Sequence, residues 1–467
     1  MLFESAHVRP LTLVSSNGDT FLAAVNTPDQ RVEFFRPIAS GLESVGECRV
    51  GLEPVAVAAR NSSQVFIVNH LSDSVSVVDA SDPSRPYVSG TLLVGDEPRD
   101  LVVAGPDRRF LFVCAARRGQ HRPGGSSPGE SGIGRADIWV FDANHLDSPP
   151  SLVTPFCDTP RALAVSSDGT SVFVAAFRSG NRSTVLNERS VNPFWTRLID
   201  DGFVALGLPP PTRSADGERG PDTGLIVQFD GKRWVDGEGR DWSPRLRFDL
   251  PDRDVFEIDA TSSPPKVTAS FSGVGTTIFG LAVHPVTQAF YASQLEARNL
   301  VRHEENLRGR FVDAGLSIAG GEQNEEQRTL ALNGNGRPKF SLPIALVFND
   351  TGDELYLAEF SSNFVAILTP SGEITGTIQT GAGPSGLVHD AKAKRLYVMN
   401  RFDQSISTIE LETRDSIAAT PLRFDPEPEP LRNGRRLFYD AEASSSNGQL
   451  SCVLVPGQWF ARPYSRR

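Results

Sequence analysis

Short apolar segments separated by polar turns run along nearly the whole chain. Val65–Asn69, for example, is followed by a polar turn and then by Ser74–Asp79, in which polar and apolar side chains alternate. A period of two is typical of β-strands, whereas a helix would repeat its apolar positions every three or four residues. The pattern therefore predicts an all-β protein.

One unit of such segments recurs seven times, each with a proline or turn, two apolar strands joined by a polar turn, and a third strand. The copies begin with Pro10–Asn26, Pro54–Asn69, Pro98–Ala115, Pro160–Phe177, Phe279–Gln294, Pro343–Glu359 and Pro384–Asn400. The prolines at 10, 54 and 98 are 44 residues apart, and those at 343 and 384 are 41 apart, close to the roughly 40–45 residues of a four-stranded propeller blade. The repeats predict a seven-bladed β-propeller. Six or eight blades stay open, because an insertion in the fourth copy could conceal a miscount.

A propeller must join its first and last blades, because a sheet edge would otherwise stay unpaired. Leu2–Arg9 precede the first repeat as Thr377–Thr380 precede the last. We therefore expect Leu2–Arg9 to form the outer strand of the seventh blade, to complete the strands within Leu387–Leu411, and so to close the propeller by an N-terminal strand.

Two insertions interrupt the repeats. The first, at about 119–135, is rich in Gly, Ser and Pro, and the second, at 180–252, contains a proline run and a hairpin-like stretch. Asp254–Asp259 resumes the pattern of Ser74–Asp79 after the second insertion. The predicted domains are a propeller over 1–417 and a C-terminal segment over 418–467.

Composition agrees with this fold and excludes some functions. The chain has 41 glycines and 34 prolines, which suits a protein with many turns. Its net charge of −11 and pI near 5.3 argue against nucleic-acid binding, which needs a basic surface. No run of about 18 apolar residues predicts a transmembrane segment, and the N-terminus lacks the features of a secretory signal.

Two repeats carry a more specific pattern. Val68-Asn69 followed by Ser74–Asp79, and Leu396–Asn400 followed by Ser405–Ile409, resemble the YVTN repeats of the YncE-like family. The resemblance covers residues 1–415 approximately and implies a seven-bladed propeller. It implies no particular activity, because propellers host many functions.

The C-terminal segment resembles a different family. Asn433–Ala441 followed by Ser445–Cys452 is similar to the entry into cytochrome domains of the di-haem cytochrome c peroxidase type, which leads to a Cys-x-x-Cys-His haem-attachment motif. Here Val455 and Pro456 stand where the second thiol and the histidine are required. We therefore expect a short helical or irregular stub of a cytochrome c-like domain, with Cys452 as a remnant of the motif. No cofactor is expected in this chain, whereas intact relatives would carry covalent haem c. A frameshift and genuine degeneration both explain such a truncated tail.

No catalytic or metal-binding residues are predicted. The seven histidines are scattered, and the four cysteines stand at irregular spacings that make neither a disulfide framework nor a zinc site. Asp230, Asp236, Glu238 and Asp241 form an acidic stretch but lack the ligand spacing of an EF-hand calcium loop. We interpret this stretch as a solvated turn.

Six arginines are the candidate ligand-binding residues. They stand in the loops before the first strand or after the second strand of a repeat, where propellers usually bind ligands: Arg99, Arg117, Arg161, Arg178, Arg298 and Arg401. Guanidinium groups around one funnel would attract carboxylates, phosphates or an acidic partner. Alternatively, each arginine pairs with a neighbouring Asp or Glu.

These features favour a non-catalytic propeller that binds a protein or a small anionic ligand, as a scaffold module of a bacterial c-type cytochrome fusion protein. Two alternatives stay open. One is a haem-dependent electron-transfer or peroxidase-like oxidoreductase, with a redox partner, in the full-length form; the other is a cell-surface repeat protein. The resemblance implies a periplasmic or cell-surface location.

Overall fold

The computed structural model of the chain describes residues 6–123, 135–186, 225–237, 239–246, 252–297, 312–321, 325–334 and 339–441. The chain divides into two compact units. The first comprises Met1–Ser179, Arg253–Gln294 and Ala314–Arg467, and the second comprises Gly180–Asp252 and Leu295–Asp313. The second unit thus contains the predicted insertion at 180–252 together with a segment of the fifth repeat.

Within the described residues, the strands form seven four-stranded antiparallel sheets and one three-stranded sheet. Sheet 1 consists of β1 (Leu11–Ser16), β2 (Asp19–Asn26), β3 (Arg31–Ile38) and β4 (Gly41–Arg49). Sheet 2 consists of β5 (Pro54–Asn61), β6 (Gln64–Asn69), β7 (Ser74–Asp79) and β8 (Tyr87–Leu93). Sheet 3 consists of β9 (Pro98–Ala104), β10 (Phe110–Ala115), β11 (Ile138–Asp142) and β12 (Ser151–Val153). Sheet 4 begins with β13 (Pro160–Val165) and β14 (Ser171–Ala176).

The chain continues with the three-stranded sheet, β15 (Ser183–Leu186), β16 (Leu225–Phe229) and β17 (Trp234–Val235). Sheet 4 resumes with β18 (Val255–Asp259) and β19 (Lys266–Phe271). Sheet 5 consists of β20 (Thr277–Val283), β21 (Ala289–Ala297), β22 (Val312–Gly320) and β23 (Glu325–Ala331). Sheet 6 consists of β24 (Pro343–Phe348), β25 (Leu355–Glu359), β26 (Phe364–Leu368) and β27 (Ile374–Gln379). Sheet 7 consists of β28 (Pro384–Asp390), β29 (Arg395–Asn400), β30 (Ser405–Glu410) and β31 (Asp415–Pro421), and the α-helix α1 (Glu429–Tyr439) follows it.

Each of the seven four-stranded sheets begins at or near one of the predicted repeat copies, and β18 is the third strand of sheet 4, as the resumption at Asp254–Asp259 predicts. The first strands contact one another in the cyclic order β1, β5, β9, β13, β20, β24, β28 and back to β1. This nearly all-β architecture is consistent with a β-propeller.

The apolar core lies between consecutive sheets. Strands such as β6 and β7 are buried along almost their whole length, because a sheet packed between two others has no solvent-facing side. Between sheets 7 and 1, Leu11 and Leu22 pack with Tyr397 and Met399. The outer strands, in contrast, expose most of their side chains, as β8 and β31 do.

Two buried asparagines explain the sequence pattern that repeats 2 and 7 share. The side-chain amide of Asn69 donates to the hydroxyls of Ser74 and Ser76, at 3.1 and 2.9 Å. Asn400 donates in the same way to Ser405 and Ser407, at 3.0 and 2.9 Å. The Asn-x4-Ser-x-Ser pattern is therefore a hydrogen-bonded connection between the second and third strands that satisfies polar groups in the core.

The predicted closure by an N-terminal strand is wrong. The outer strand of sheet 7 is β31, which pairs with β30 in an antiparallel register that runs from Ser405 opposite Pro421 to Glu410 opposite Asp415. The described part of Leu2–Arg9 instead lies beside β5, where Arg9 forms a parallel bridge with Ala56. β31 thus takes the position next to β30 that was predicted for the N-terminal strand. A segment that merely precedes a repeat does not reveal whether it joins the outer or the inner edge of a sheet.

The start of the C-terminal segment packs on the neighbouring sheets. Tyr439, the last residue of α1, is buried, and its ring lies 4.9 Å from that of Phe402 and 5.5 Å from that of Phe360. The expected helical character agrees with α1, but the division of the chain at residue 418 stays a prediction. No helix in the described residues is long and apolar enough to span a membrane.

We predict that Gly386→Ala destabilises the fold by about 1–3 kcal/mol, the usual effect of overpacking. A Cβ at Gly386 in sheet 7 would lie 2.3 Å from the Pro10 ring, which precedes sheet 1. Gly90→Ala in β8 is the matched control, because its Cβ would meet nothing closer than 3.9 Å. Urea unfolding of both variants measures the difference. Equal stabilities would contradict the close contact between sheets 7 and 1.

Candidate functional site

Two of the predicted arginines lie side by side on neighbouring first strands. Arg99 and Arg161 are the second residues of β9 and β13. Their guanidinium carbons lie 5.7 and 5.2 Å from the centre of the Phe177 ring, and that of Arg161 also lies 5.9 Å from the centre of the Phe279 ring. Cation–π contacts of this kind contribute about 0.5–2 kcal/mol each and hold the guanidinium groups in place.

Arg161 is a buried cation that interacts with main-chain oxygens. Its side chain donates from Nε to the carbonyl of Phe279 at 3.1 Å and from Nη2 to the carbonyl of His7 at 3.0 Å, and the residue is only 3% exposed. No carboxylate of the described residues lies within 4.0 Å of its guanidinium nitrogens. Burial, followed by repulsion from Arg99, lowers the pKa of Arg161 to about 9. At neutral pH the group is still charged.

Arg99 and Arg401 are closer to the alternative prediction, in which each arginine pairs with a neighbouring Asp or Glu, because each lies near a carboxylate. Arg99 is 3.5 Å from Glu97, although burial still lowers the pKa of its guanidinium. Arg401 is 5% exposed and lies 4.0 Å from Glu427. Both ion pairs are at the long end of the range for salt bridges.

The remaining predicted residues are placed differently. Arg178 is exposed and close enough to Arg99 to lower the pKa of that guanidinium further. Arg117 is exposed, and its main-chain amide donates to Asp96 at 3.2 Å. Arg298 and Cys452 lie outside the described residues. The structure thus brings Arg99, Arg161 and Arg178 together; whether any of the six arginines binds a ligand stays a prediction.

His7 is almost fully buried and lies near Arg161 and Arg401, whose charges both act on it. Its Nε2 is 2.7 Å from the Thr27 hydroxyl, and its Nδ1 is 2.8 Å from the Ser385 hydroxyl. Because Thr27 donates its own proton to the carbonyl of Pro54 at 2.6 Å, Thr27 accepts from Nε2–H. The Ser385 hydroxyl can donate to Nδ1 or to the carbonyl of Met399, which is 3.3 Å away. Burial, and then the charges of Arg401 and Arg161, hold the pKa of His7 well below its ordinary value. The imidazole is therefore neutral.

Arg9 and Asp100 form a second element of the site. Arg9 donates to both carboxylate oxygens, from Nε at 3.0 Å and from Nη2 at 3.1 Å, and Nη2 also donates to the carbonyl of Leu163 at 2.6 Å. The Asp100 side chain is fully buried. A cavity of about 40 Å³ beside this pair is lined by residues of several first strands, among them Ala162, Gly280 and Ala345. We call the Arg9–Asp100 pair the clamp.

Sequence reasoning missed His7, Arg9 and Asp100. One signal for Asp100 was available: it stands two residues after a repeat proline, where four of the other copies have Ala or Gly. The residues at the equivalent position, each paired with the second strand of its own hairpin, are Ala56, Ala162, Ala345 and Gly386. A carboxylate at such a position needs a cationic partner when it is buried. The sequence offered no comparable signal for His7.

His70 is a second buried histidine near the arginines. Its Nδ1 donates to the carbonyl of Pro98 at 3.0 Å. Burial, followed by the charge of Arg99, lowers the pKa of His70 to about 4. Like His7, this side chain is neutral at physiological pH.

Two cysteines and the predicted acidic stretch interact with the surrounding protein. Burial raises the pKa of Cys48 and Cys114 to about 12, so both are neutral thiols. In the predicted acidic stretch, Asp236 accepts from Arg240 Nε at 2.8 Å and from the Trp242 indole at 3.0 Å, whereas Glu238 lies outside the described residues. No group of three or more His, Cys, Asp and Glu is arranged to hold a metal ion in the parts of the chain that the structure covers.

Comparison with known proteins bears on the fold. No protein-family model and no curated protein matches the sequence. Among solved structures, Kuenenia stuttgartiensis hydrazine synthase is 16% identical, with 87% of this chain and 98% of that chain covered and a TM-score of 0.59. A functionally unknown protein from Desulfotomaculum acetoxidans is 11% identical, with coverages of 86% and 95% and a TM-score of 0.50. Apo AztD from Citrobacter koseri is 9% identical, with coverages of 90% and 87% and a TM-score of 0.46.

The structural neighbours are propeller-like proteins, and the likeness supports a β-propeller-like fold for this chain. Identities this low carry no information on activity or ligands. The resemblances of the sequence to YVTN repeats and to cytochrome domains stay predictions.

We predict that acid destabilises the protein through His7 and His70. Both have a lowered pKa in the folded chain, so the unfolded chain binds more protons, and stability present above about pH 6.5 is lost as the pH falls. For His70 the loss extends to about pH 4. Urea unfolding at a series of pH values measures the free energy of unfolding.

Replacing either histidine should reduce the slope of this pH dependence by up to about 1.4 kcal/mol per pH unit. The variants are His7→Gln and His70→Gln, and His145→Gln, at an exposed position, is the control. A double variant with the wild-type slope would rule out this origin of the acid sensitivity.

Proposed function

We propose that the seven four-stranded sheets are the blades of one closed propeller and that the chain is a non-catalytic binding module for an anionic ligand. The proposed site is the arginine cluster, defined as Arg99, Arg161 and Arg178. Closure is supported by the contact of β28 with β1 and by the shared core of sheets 7 and 1.

The observation that carries the proposal is the burial of Arg161 without a carboxylate within salt-bridge distance among the described residues. A buried charge is normally paired, because its removal from water costs several kcal/mol. The carbonyls of His7 and Phe279 satisfy two donors but supply no negative charge. A ligand oxyanion would supply it.

The chemistry of the cluster indicates the class of ligand. A guanidinium group is a planar fork of donors that matches the two oxygens of a carboxylate or phosphate group. Arg99 and Arg178 add positive charge next to Arg161, in a protein whose overall charge of −11 would otherwise repel anions. Small carboxylates and phosphates, or an acidic segment of a partner protein, therefore fit best.

We predict that the protein binds inorganic phosphate or citrate at low ionic strength and that arginine variants weaken this binding. Arg161→Met removes the central donor and should weaken binding roughly tenfold to a hundredfold, corresponding to about 1.5–3 kcal/mol for hydrogen bonds to a charged group. Arg178→Met, at an exposed position, should weaken it less and leave folding intact. Isothermal titration calorimetry measures both affinities.

Arg36→Met is the matched control, because Arg36 is an exposed arginine of sheet 1 whose guanidinium pairs with Glu43 at 3.3 Å. It removes the same charge and should leave the affinity unchanged. Equal weakening by Arg36→Met and Arg178→Met would indicate a general charge effect. The absence of binding to either anion, both by the wild-type protein and by a variant that lacks residues 2–7, would refute the proposed site.

We further predict that the purified protein carries no covalent haem, because Cys452 is followed by Val455 and Pro456 instead of the second thiol and histidine. A pyridine haemochrome assay after expression with the c-type haem maturation machinery measures it. A Val455→Cys, Pro456→His variant restores the motif and is the control for the assay. A haemochrome signal from the wild-type chain would contradict the interpretation of this tail.

A further inference from the structure

We propose that residues 6–8, which we call the plug, compete with the anionic ligand for the arginine cluster, so that binding requires the plug to withdraw. This inference rests on the proposed function and concerns the regulation of the same site. It rests on the contacts of the plug and on the attachment of the next residue, Arg9, to Asp100.

The plug occupies the position at which an anion would meet Arg161. The carbonyl oxygen of His7 accepts from Arg161 Nη2 at 3.0 Å, and His7 is itself only 4% exposed. A carbonyl oxygen offers a partial negative charge to the guanidinium, whereas an oxyanion offers a full one and forms the stronger hydrogen bond. An anion that takes the N–H of Nη2 now bonded to the His7 carbonyl must therefore displace the plug.

Apart from the hydrogen bond from the Arg161 guanidinium, the contacts that hold the plug involve neutral partners. The His7 ring contacts two hydroxyl groups, those of Thr27 and Ser385. The amide of Val8 donates to the carbonyl of Val55 at 3.1 Å. Hydrogen bonds between neutral groups stabilise a folded arrangement only modestly, since water replaces them when they open.

The clamp fixes the chain directly after the plug. Arg9 donates to both oxygens of the buried Asp100 carboxylate, and its main-chain carbonyl accepts from Val57 at 2.8 Å. Breaking this pair would leave a buried carboxylate without its cation, which is strongly unfavourable. The plug can thus open at Val8 while Arg9 stays in place, and the clamp forms the hinge.

The test compares phosphate affinity between the wild-type protein and variants that weaken the plug. His7→Gly removes both side-chain contacts, and deletion of residues 2–7 removes the carbonyl as well. Both should bind phosphate about tenfold more tightly, because less of the protein is held in the plugged, binding-incompetent state. His145→Gly, at an exposed position, is the control and should keep the wild-type affinity.

A second measurement uses the wild-type chain and does not depend on how well the variants fold. Hydrogen exchange of the amides of residues 7 and 8 should become faster when phosphate is added, while that of Val57 at the clamp should stay unchanged. Slower or unchanged exchange at residues 7 and 8 would overturn the plug and leave the binding site standing. The same conclusion would follow if the wild-type protein binds phosphate and the variants bind it no more tightly. Absence of binding in every form of the protein would overturn both.

Discussion

The carboxylate of Asp100 is the group on which the centre of the structure depends. It is fully buried and accepts from two nitrogens of Arg9 and from the amides of Leu101 and Leu163. These four hydrogen bonds connect the segment before sheet 1 with sheets 3 and 4. Without Arg9 the carboxylate would remain charged in a medium that disfavours charge, at a cost of several kcal/mol. The path of the chain into sheet 1 is therefore fixed by electrostatics as much as by strand pairing.

The same reasoning distinguishes Arg9 from Arg161. Arg9 is neutralised by the carboxylate that it contacts, whereas Arg161 is stabilised by carbonyl dipoles and aromatic rings that leave its net charge in place. His7, which is near Arg161 and Arg401, adds no further charge because its pKa is lowered. The result is a local excess of positive charge at the ends of the first strands of an acidic protein.

The repeat pattern predicted the strands well, because each strand buries an apolar face against a neighbouring sheet and so needs apolar residues at fixed positions. The Asn69 and Asn400 patterns were visible for the same reason, since a buried amide requires hydroxyl partners at set spacings. The location of the described residues 6–9 could not be predicted in this way. Their placement depends on Asp100, which is distant in the sequence, and the outer strand of sheet 7 is supplied by β31 instead.

The contacts between sheets 7 and 1 have a consequence for the candidate site. If an N-terminal strand completed the last sheet, the contacts between the beginning of the chain and that sheet would lie at its outer strand, away from the arginines. Here sheet 7 consists of consecutive strands, and these contacts lie at its first strand, where Pro10 meets Gly386 and His7 meets Ser385. One of these residues, His7, also accepts from Arg161 Nη2 through its main-chain carbonyl, although the two residues are distant in sequence. In the proposed binding module, stability and access to the arginine cluster are therefore coupled through His7.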